Sequence, residues 1–147
     1  MSNNSVIISA KRTPVGSFQG SLSSLSAPKL GAEVFKSILK DESLNDISIN
    51  EVIMGNVLSA GLGQAPARQA ALLSGISNSV SCLTINKMCG SGLKAIMLAD
   101  QAIRCSASKI ILAGGMESMS NAPHLINNFR KGYKLGHGKI IDSMIHD

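Results

Sequence analysis

Cys82-Leu83-Thr84-Ile85-Asn86-Lys87-Met88-Cys89-Gly90-Ser91-Gly92-Leu93-Lys94-Ala95 passes from an apolar, β-prone run into a segment with helical spacing. Residues 82–86 read as a short strand, and residues 90–104 as a helix with Leu93, Ile96, Met97 and Ile103 on one side. Cys89 falls at the junction. A helix N-terminus carries unpaired N–H groups and the positive end of the macrodipole, and both favour a thiolate. Gly90, Ser91 and Gly92 keep bulk away from the sulfur. Residue type and position together make Cys89 a candidate nucleophile.

The same alternation extends to both sides. Residues 6–10 (Val6-Ile7-Ile8-Ser9-Ala10) read as a buried strand, ended by the Thr13-Pro14 punctuation. Residues 26–40 read as a helix with Ser26 as N-cap, Pro28 in the first turn and a stripe of Leu30, Val34, Ile38 and Leu39. Residues 52–58 form a second predicted strand, followed by the glycine-rich loop 60–64. Residues 66–73 form a helix closed by Ser74 and by Gly75 at C′. Residues 109–115 form a fourth strand that leaves through Gly114 and Gly115. The order β-α-β-α-β-α-β predicts a mostly parallel sheet flanked by helices with right-handed crossovers, an α/β fold. From residue 118 to 147 the pattern dissolves, with only residues 139–145 reading as a short helix. A stretch of that kind suits the opening of an inserted subdomain.

Bulk properties narrow the function. With 147 residues and 44% hydrophobic content the chain has room for a single core. Aromatics make up 3% and tryptophan is absent, so that core is aliphatic. The net charge of +5 is scattered and densest from Arg130 to Lys139. Without aromatic platforms beside it, this charge argues against nucleic-acid binding. Three cysteines with no C-x-x-C pair argue against a disulfide framework and a zinc site, and for a reducing compartment. The polar N-terminus carries no signal-peptide pattern, and no apolar run is long enough to span a membrane.

At this point the residues resemble a known family. Asn86-Lys87-Met88-Cys89-Gly90-Ser91-Gly92-Leu93-Lys94-Ala95 resembles the nucleophile motif of thiolases, in particular the biosynthetic acetyl-CoA acetyltransferase branch. Three further segments agree in order and spacing: Ala10-Lys11-Arg12-Thr13-Pro14, Gly63-Gln64-Ala65-Pro66-Ala67-Arg68-Gln69-Ala70-Ala71, and Ala113-Gly114-Gly115-Met116-Glu117-Ser118-Met119-Ser120. Residues 132–144 resemble the start of that family's loop domain. Four ordered motifs are far more specific than any one of them.

The resemblance implies a thiolase-like fold. Residues 1–118 would be the N-terminal half-domain lacking its last strand, and residues 119–147 the beginning of the loop domain. It implies condensation of two acetyl-CoA to acetoacetyl-CoA and CoA, reversibly, through an acetyl-Cys89 intermediate. The backbone N–H of Cys89 would serve as an oxyanion donor. It implies no cofactor beyond the coenzyme A thioester substrates, no metal, a cytoplasmic setting, and a homo-oligomer, dimer or tetramer. The family's Asn-Glu-Ala-Phe, Gly-His-Pro and late Cys-x-Gly-Gly-Gly segments do not occur here, and Gly136-His137-Gly138 lacks the proline. A helix terminus contributes about 0.3–2 kcal/mol, less than a partnered histidine supplies. The expectation is therefore an N-terminal portion with little turnover of its own. Alternatives are a longer-chain 3-ketoacyl-CoA thiolase, a decarboxylating condensing enzyme of the same fold, or a non-catalytic assembly module.

Other residues have bland readings. Cys82 and Cys105 read as core. Met88 and Met119 read equally as acyl-pocket lining or core filler. Arg68 and Gln64 read as structural or subunit-contact residues, Lys87 as half of an ion pair, and His124, His137 and His146 as surface residues.

Overall fold

The structure is a computed structural model that describes residues 4–41 and 48–146. Its centre is a parallel three-stranded sheet. β1 (Glu51–Gly55) lies between β2 (Ser81–Ile85) and β3 (Ile111–Gly115). Glu51 pairs with Ser81 and Ile111, and Gly55 pairs with Ile85 and Gly115. A central parallel strand is covered on both faces, which explains the continuous burial of Val52, Ile53 and Met54.

Three helices of the sheet layer are α1 (Ala27–Leu39), α2 (Pro66–Leu73) and α3 (Ser91–Arg104). α2 connects β1 to β2, whereas α3 carries the chain back from β2, past β1, to β3. Right-handed crossovers in opposite directions along a sheet must lie on opposite faces. Accordingly, α1 and α2 join Val52 and Met54 in one cluster with Phe35, Ala67, Ala70, Ala71, Ile76, Val80 and Met116. The opposite face, which carries Gly55 and by strand alternation Ile53, meets α3.

α3 does not bury the stripe predicted for it. Its buried residues are Ser91, Ala95 and Ala99, whereas Leu93, Ile96 and Met97 are exposed. The reason is close approach. A Cβ on Gly55 would lie 2.5 Å from the Ser91 carbonyl carbon, and one on Gly115 would lie 3.1 Å from Gly92 Cα. Only a small-residue face fits a sheet at that distance. α1 also departs from its predicted stripe: Ala27, Pro28, Gly31, Ala32 and Phe35 are buried, while Leu30, Val34, Ile38 and Leu39 are half-buried.

Residues 6–10 are a second departure. They join no ladder, and Val6, Ile7 and Ile8 are exposed. The expected four-stranded sheet therefore has three strands here. The outer edge of β3 carries no strand among the described residues, and the N-terminal segment is tied instead through the Ser5 hydroxyl to the Asp100 carboxylate on α3. Arg104 also pairs with Asp100 at 2.8 Å, and these two bonds hold its carboxyl below the usual carboxylate range.

Residues 118–146 hold more than the single short helix expected. β4 (His124–Ile126) pairs antiparallel with β5 (Ile140–Asp142), joining His124 to Asp142 and Ile126 to Ile140. α4 (Ser143–His146) follows, and 3-10 turns occur at Met119–Asn121 and Phe129–Lys131. Strands of three residues are too short for alternation to reveal.

Candidate active site

Cys89 occupies the turn between β2 and α3, one residue before the N-cap Gly90, and is exposed. The turn is tightly specified. Met88 has φ +47°, a left-handed conformation that side chains rarely adopt. Its N–H donates to Asn86 Oδ1 at 2.9 Å. The Ser91 hydroxyl donates to Met88 O at 2.6 Å and accepts the Lys87 N–H at 2.8 Å. The Gly90 N–H donates to Lys87 O and the Ser91 N–H to Met88 O. Ser91 is buried, because its Cβ packs where Gly55 leaves room.

The turn faces an open hollow of about 490 Å³. Met88, Cys89 and Gly92 line it together with Val57, Leu58, Glu117, Met119 and Met144. Met88 and Met119 are thus pocket-lining and half-exposed, not core filler. Met144 reaches the hollow from α4, which is anchored by Ser143: its buried hydroxyl donates to Pro123 O at 2.6 Å.

Part of the lining is built on Glu117, a residue that sequence reasoning did not single out. Its carboxylate accepts the Val57 N–H at 2.8 Å, the Leu58 N–H at 3.1 Å and Asn56 Nδ2 at 2.8 Å. Asn56 is fully buried, and its Nδ2 also donates to Met116 O, while its Oδ1 accepts from Ser59 Oγ. This capture ends β1 at Gly55, three residues before the expected Leu58. The available signal was a carboxylate directly after the apolar run 110–116.

The surrounding motif residues support the platform. Gln69 Nε2 donates to the carbonyls of Leu62 and Gln64, closing the glycine-rich loop. The Ala67 N–H at the start of α2 donates to Thr84 Oγ1. Arg68 donates to the carbonyls of Asn78 and Val80, the structural role expected of it. Ser118 and Asn121 bind the Leu25 carbonyl, joining the segment after β3 to the loop before α1.

Three bland readings need correction or refinement. Lys87 is exposed and makes no ion pair among the described residues. Cys105 caps the C-terminus of α3 and is exposed, not core. Cys82 is half-buried on β2 and packs against the edge of the core cluster, in keeping with its core reading. Burial pushes its thiol above the ordinary value, against the pull of Arg68. His124, His137 and His146 are all exposed, and no histidine lines the hollow among the described residues. Nor do any three His, Cys, Asp or Glu side chains among the described residues cluster closely enough to hold a metal ion. No helix among the described residues is long and apolar enough to cross a membrane.

The fold that carries this turn is shared with known proteins. The family described as "Thiolase, N-terminal domain" matches residues 5–147. The chain belongs to the thiolase family. Acetyl-CoA acetyltransferase of Pseudomonas aeruginosa is 52% identical over 142 residues, covering 97% of this chain and 36% of that protein. Acetyl-CoA acetyltransferase 2 of Arabidopsis thaliana is 52% identical over 141 residues, covering 96% of this chain and 35% of that protein. The crystal structure of Acat5 thiolase from Ascaris suum in complex with coenzyme A superposes with a TM-score of 0.84 at 45% identity. It covers 90% of this chain and 34% of that one. The chain thus spans about a third of the length of these thiolase relatives.

Proposed function

We propose that this chain supplies the acyl-accepting nucleophile of an acetyl-CoA C-acetyltransferase, with Cys89 as the residue that becomes acetylated. The observation that carries the reading is the placement of an exposed cysteine at the start of α3, facing the hollow between Met88, Leu58, Met119 and Met144. The relatives' names and the coenzyme A complex of the Ascaris thiolase support a coenzyme A thioester as substrate.

The chemistry runs in two halves. Cys89 Sγ, having lost its proton, adds to the thioester carbonyl carbon of acetyl-CoA. The carbon–sulfur bond to CoA then breaks, and the CoA thiolate leaves and takes up a proton. The Cys89 backbone N–H is the proposed donor to the tetrahedral oxyanion. In the second half, a second acetyl-CoA loses a methyl proton and its carbon attacks acetyl-Cys89. Acetoacetyl-CoA forms and the Cys89 thiolate is released. That half needs a base, and none of the titratable groups lining the hollow is a histidine. Glu117, the one carboxylate there among the described residues, is occupied by three N–H donors. The described residues are therefore equipped for acylation and not for condensation.

On this reading residues 1–118 form the half-domain that presents the nucleophile, and residues 119–147 begin the loop domain that roofs it through Met144. The exposed Leu93, Ile96 and Met97 on α3 favour association with a further apolar surface, in keeping with an oligomer. The free cysteines suit a reducing, cytoplasmic setting. Incubation with acetyl-CoA, followed by assays for free CoA and acetoacetyl-CoA, tests the proposal. One CoA released per chain without acetoacetyl-CoA is expected. CoA release that persists in Cys89→Ser would sink it.

A further inference from the structure

Met88 holds a conformation that costs a side-chain-bearing residue energy, and it does so immediately before the proposed nucleophile. Such strain persists only where neighbours over-determine it. Here two side chains do so. Asn86 accepts the Met88 N–H, and Ser91 donates to the Met88 carbonyl while accepting the Lys87 N–H. Both peptide groups of Met88 are therefore clamped by side chains of the same turn. The Asn86 Nδ2 also lies 3.5 Å from Val57 O, on the loop that Glu117 holds. Neither side chain is needed to close the sheet, and Ser91 is a hydroxyl buried where alanine would fit the same space. Extended backbone at Met88, the alternative open to any non-glycine residue, would swing Cys89 away from Leu58, Met119 and Met144.

We infer that Asn86 and Ser91 are positioning residues for Cys89, and that their clamp on the left-handed Met88 aims the thiol at the thioester. This rests on the reading of Cys89 as the acetyl acceptor. The clamp touches no reacting atom, so it governs a reaction that demands alignment and leaves a small, orientation-tolerant one nearly untouched.

The test uses the 147-residue chain as wild type, Asn86→Ala, Ser91→Ala and Asn86→Asp. Acetylation of Cys89 by acetyl-CoA is followed by mass spectrometry, beside alkylation of the same residue by iodoacetamide. Cys105 serves as an internal reference. The alanine variants should acetylate at least about tenfold more slowly while iodoacetamide rates stay within about threefold. Asn86→Asp, which keeps the acceptor for the Met88 N–H, should retain most of the acetylation rate. Acetylation at the wild-type rate in both alanine variants overturns the inference. So does a parallel fall in both reactions, which would mean that these side chains only hold the fold. If the alanine variants do not fold, Asn86→Asp decides: a tenfold loss in that folded variant refutes the clamp. A wild-type chain that takes no acetyl group removes the nucleophile reading itself, and the inference with it, whereas acetylated wild type with unaffected variants removes the inference alone.

Discussion

Gly55→Ala tests how α3 is seated. The added Cβ would lie 2.5 Å from the Ser91 carbonyl carbon, 2.6 Å from the Gly92 nitrogen and 2.6 Å from Ser91 Cβ. Two of these are backbone atoms of the helix N-terminus and cannot rotate away, so β1 and α3 must part by about 1 Å to restore ordinary carbon contacts near 3.5 Å. Overpacking of this kind costs about 1–3 kcal/mol, and replacing a strand glycine by alanine returns about 0.5–1 kcal/mol. A net loss of about 1 kcal/mol follows, or a fall in Tm of about 2–4 °C for a chain of this size. Gly114→Ala is the matched control. It lies in the same sheet, and its nearest obstacle is Met54 Sδ at 3.7 Å. That variant should match wild type or gain slightly. Gly115→Ala, at 3.1 Å from Gly92 Cα, should fall between them. Urea titrations followed by far-ultraviolet circular dichroism give the three midpoints, the chain having no tryptophan to report. Equal midpoints for Gly55→Ala and Gly114→Ala would refute the close seating of α3, and with it the account of how Cys89 is held.

Glu117→Ala leaves the Val57 and Leu58 N–H groups and Asn56 Nδ2 without their acceptor. It should cost about 2 kcal/mol in the same titration, and a loss under about 0.5 kcal/mol would show that water replaces the carboxylate. Cys82 carries a thiol pushed up by burial, so the folded chain holds that proton more tightly than the unfolded one. That contribution is complete below the ordinary thiol range and is lost as pH rises through the folded value. Stability should decline above about pH 8.5, Cys82→Ala should flatten the decline, and an unchanged slope would contradict the assignment. Leu93→Glu combined with Met97→Glu places charge on the exposed face of α3. Sedimentation should shift toward the monomer, and an unchanged mass distribution would place any self-association elsewhere.

Much of this fold was legible because its signals are local. Pro66 and the left-handed Gly75 bracket α2 as expected, and the apolar runs at 52–55, 82–85 and 111–113 are strands because they are flanked by turn residues. The turn carrying Cys89 follows from a strand signal meeting a helix signal across small residues. What stayed hidden depends on partners distant in sequence. Residues 6–10 have a strand composition whether or not a ladder partner lies beside them. The buried face of α3 could not be chosen by hydrophobicity, since its bulky face outscores the Ser91, Ala95 and Ala99 face. The choice is made by Gly55 and Gly115, which admit only small residues. The Asn56–Glu117 network needs β1 and β3 side by side before its bonds can form. Asn86 and Ser91 were visible as letters of the motif, but their task appears only once Met88 is seen in its left-handed conformation.

The most direct test of the central claim is intact-mass and peptide-mapped spectrometry of the chain after exposure to acetyl-CoA, beside Cys89→Ser. The account predicts a single acetyl group on wild type, mapped to Cys89, with Cys105 unmodified although it too is free and exposed. An acetyl group that maps to Cys105, or one that survives in Cys89→Ser, would contradict the claim that this turn presents the nucleophile.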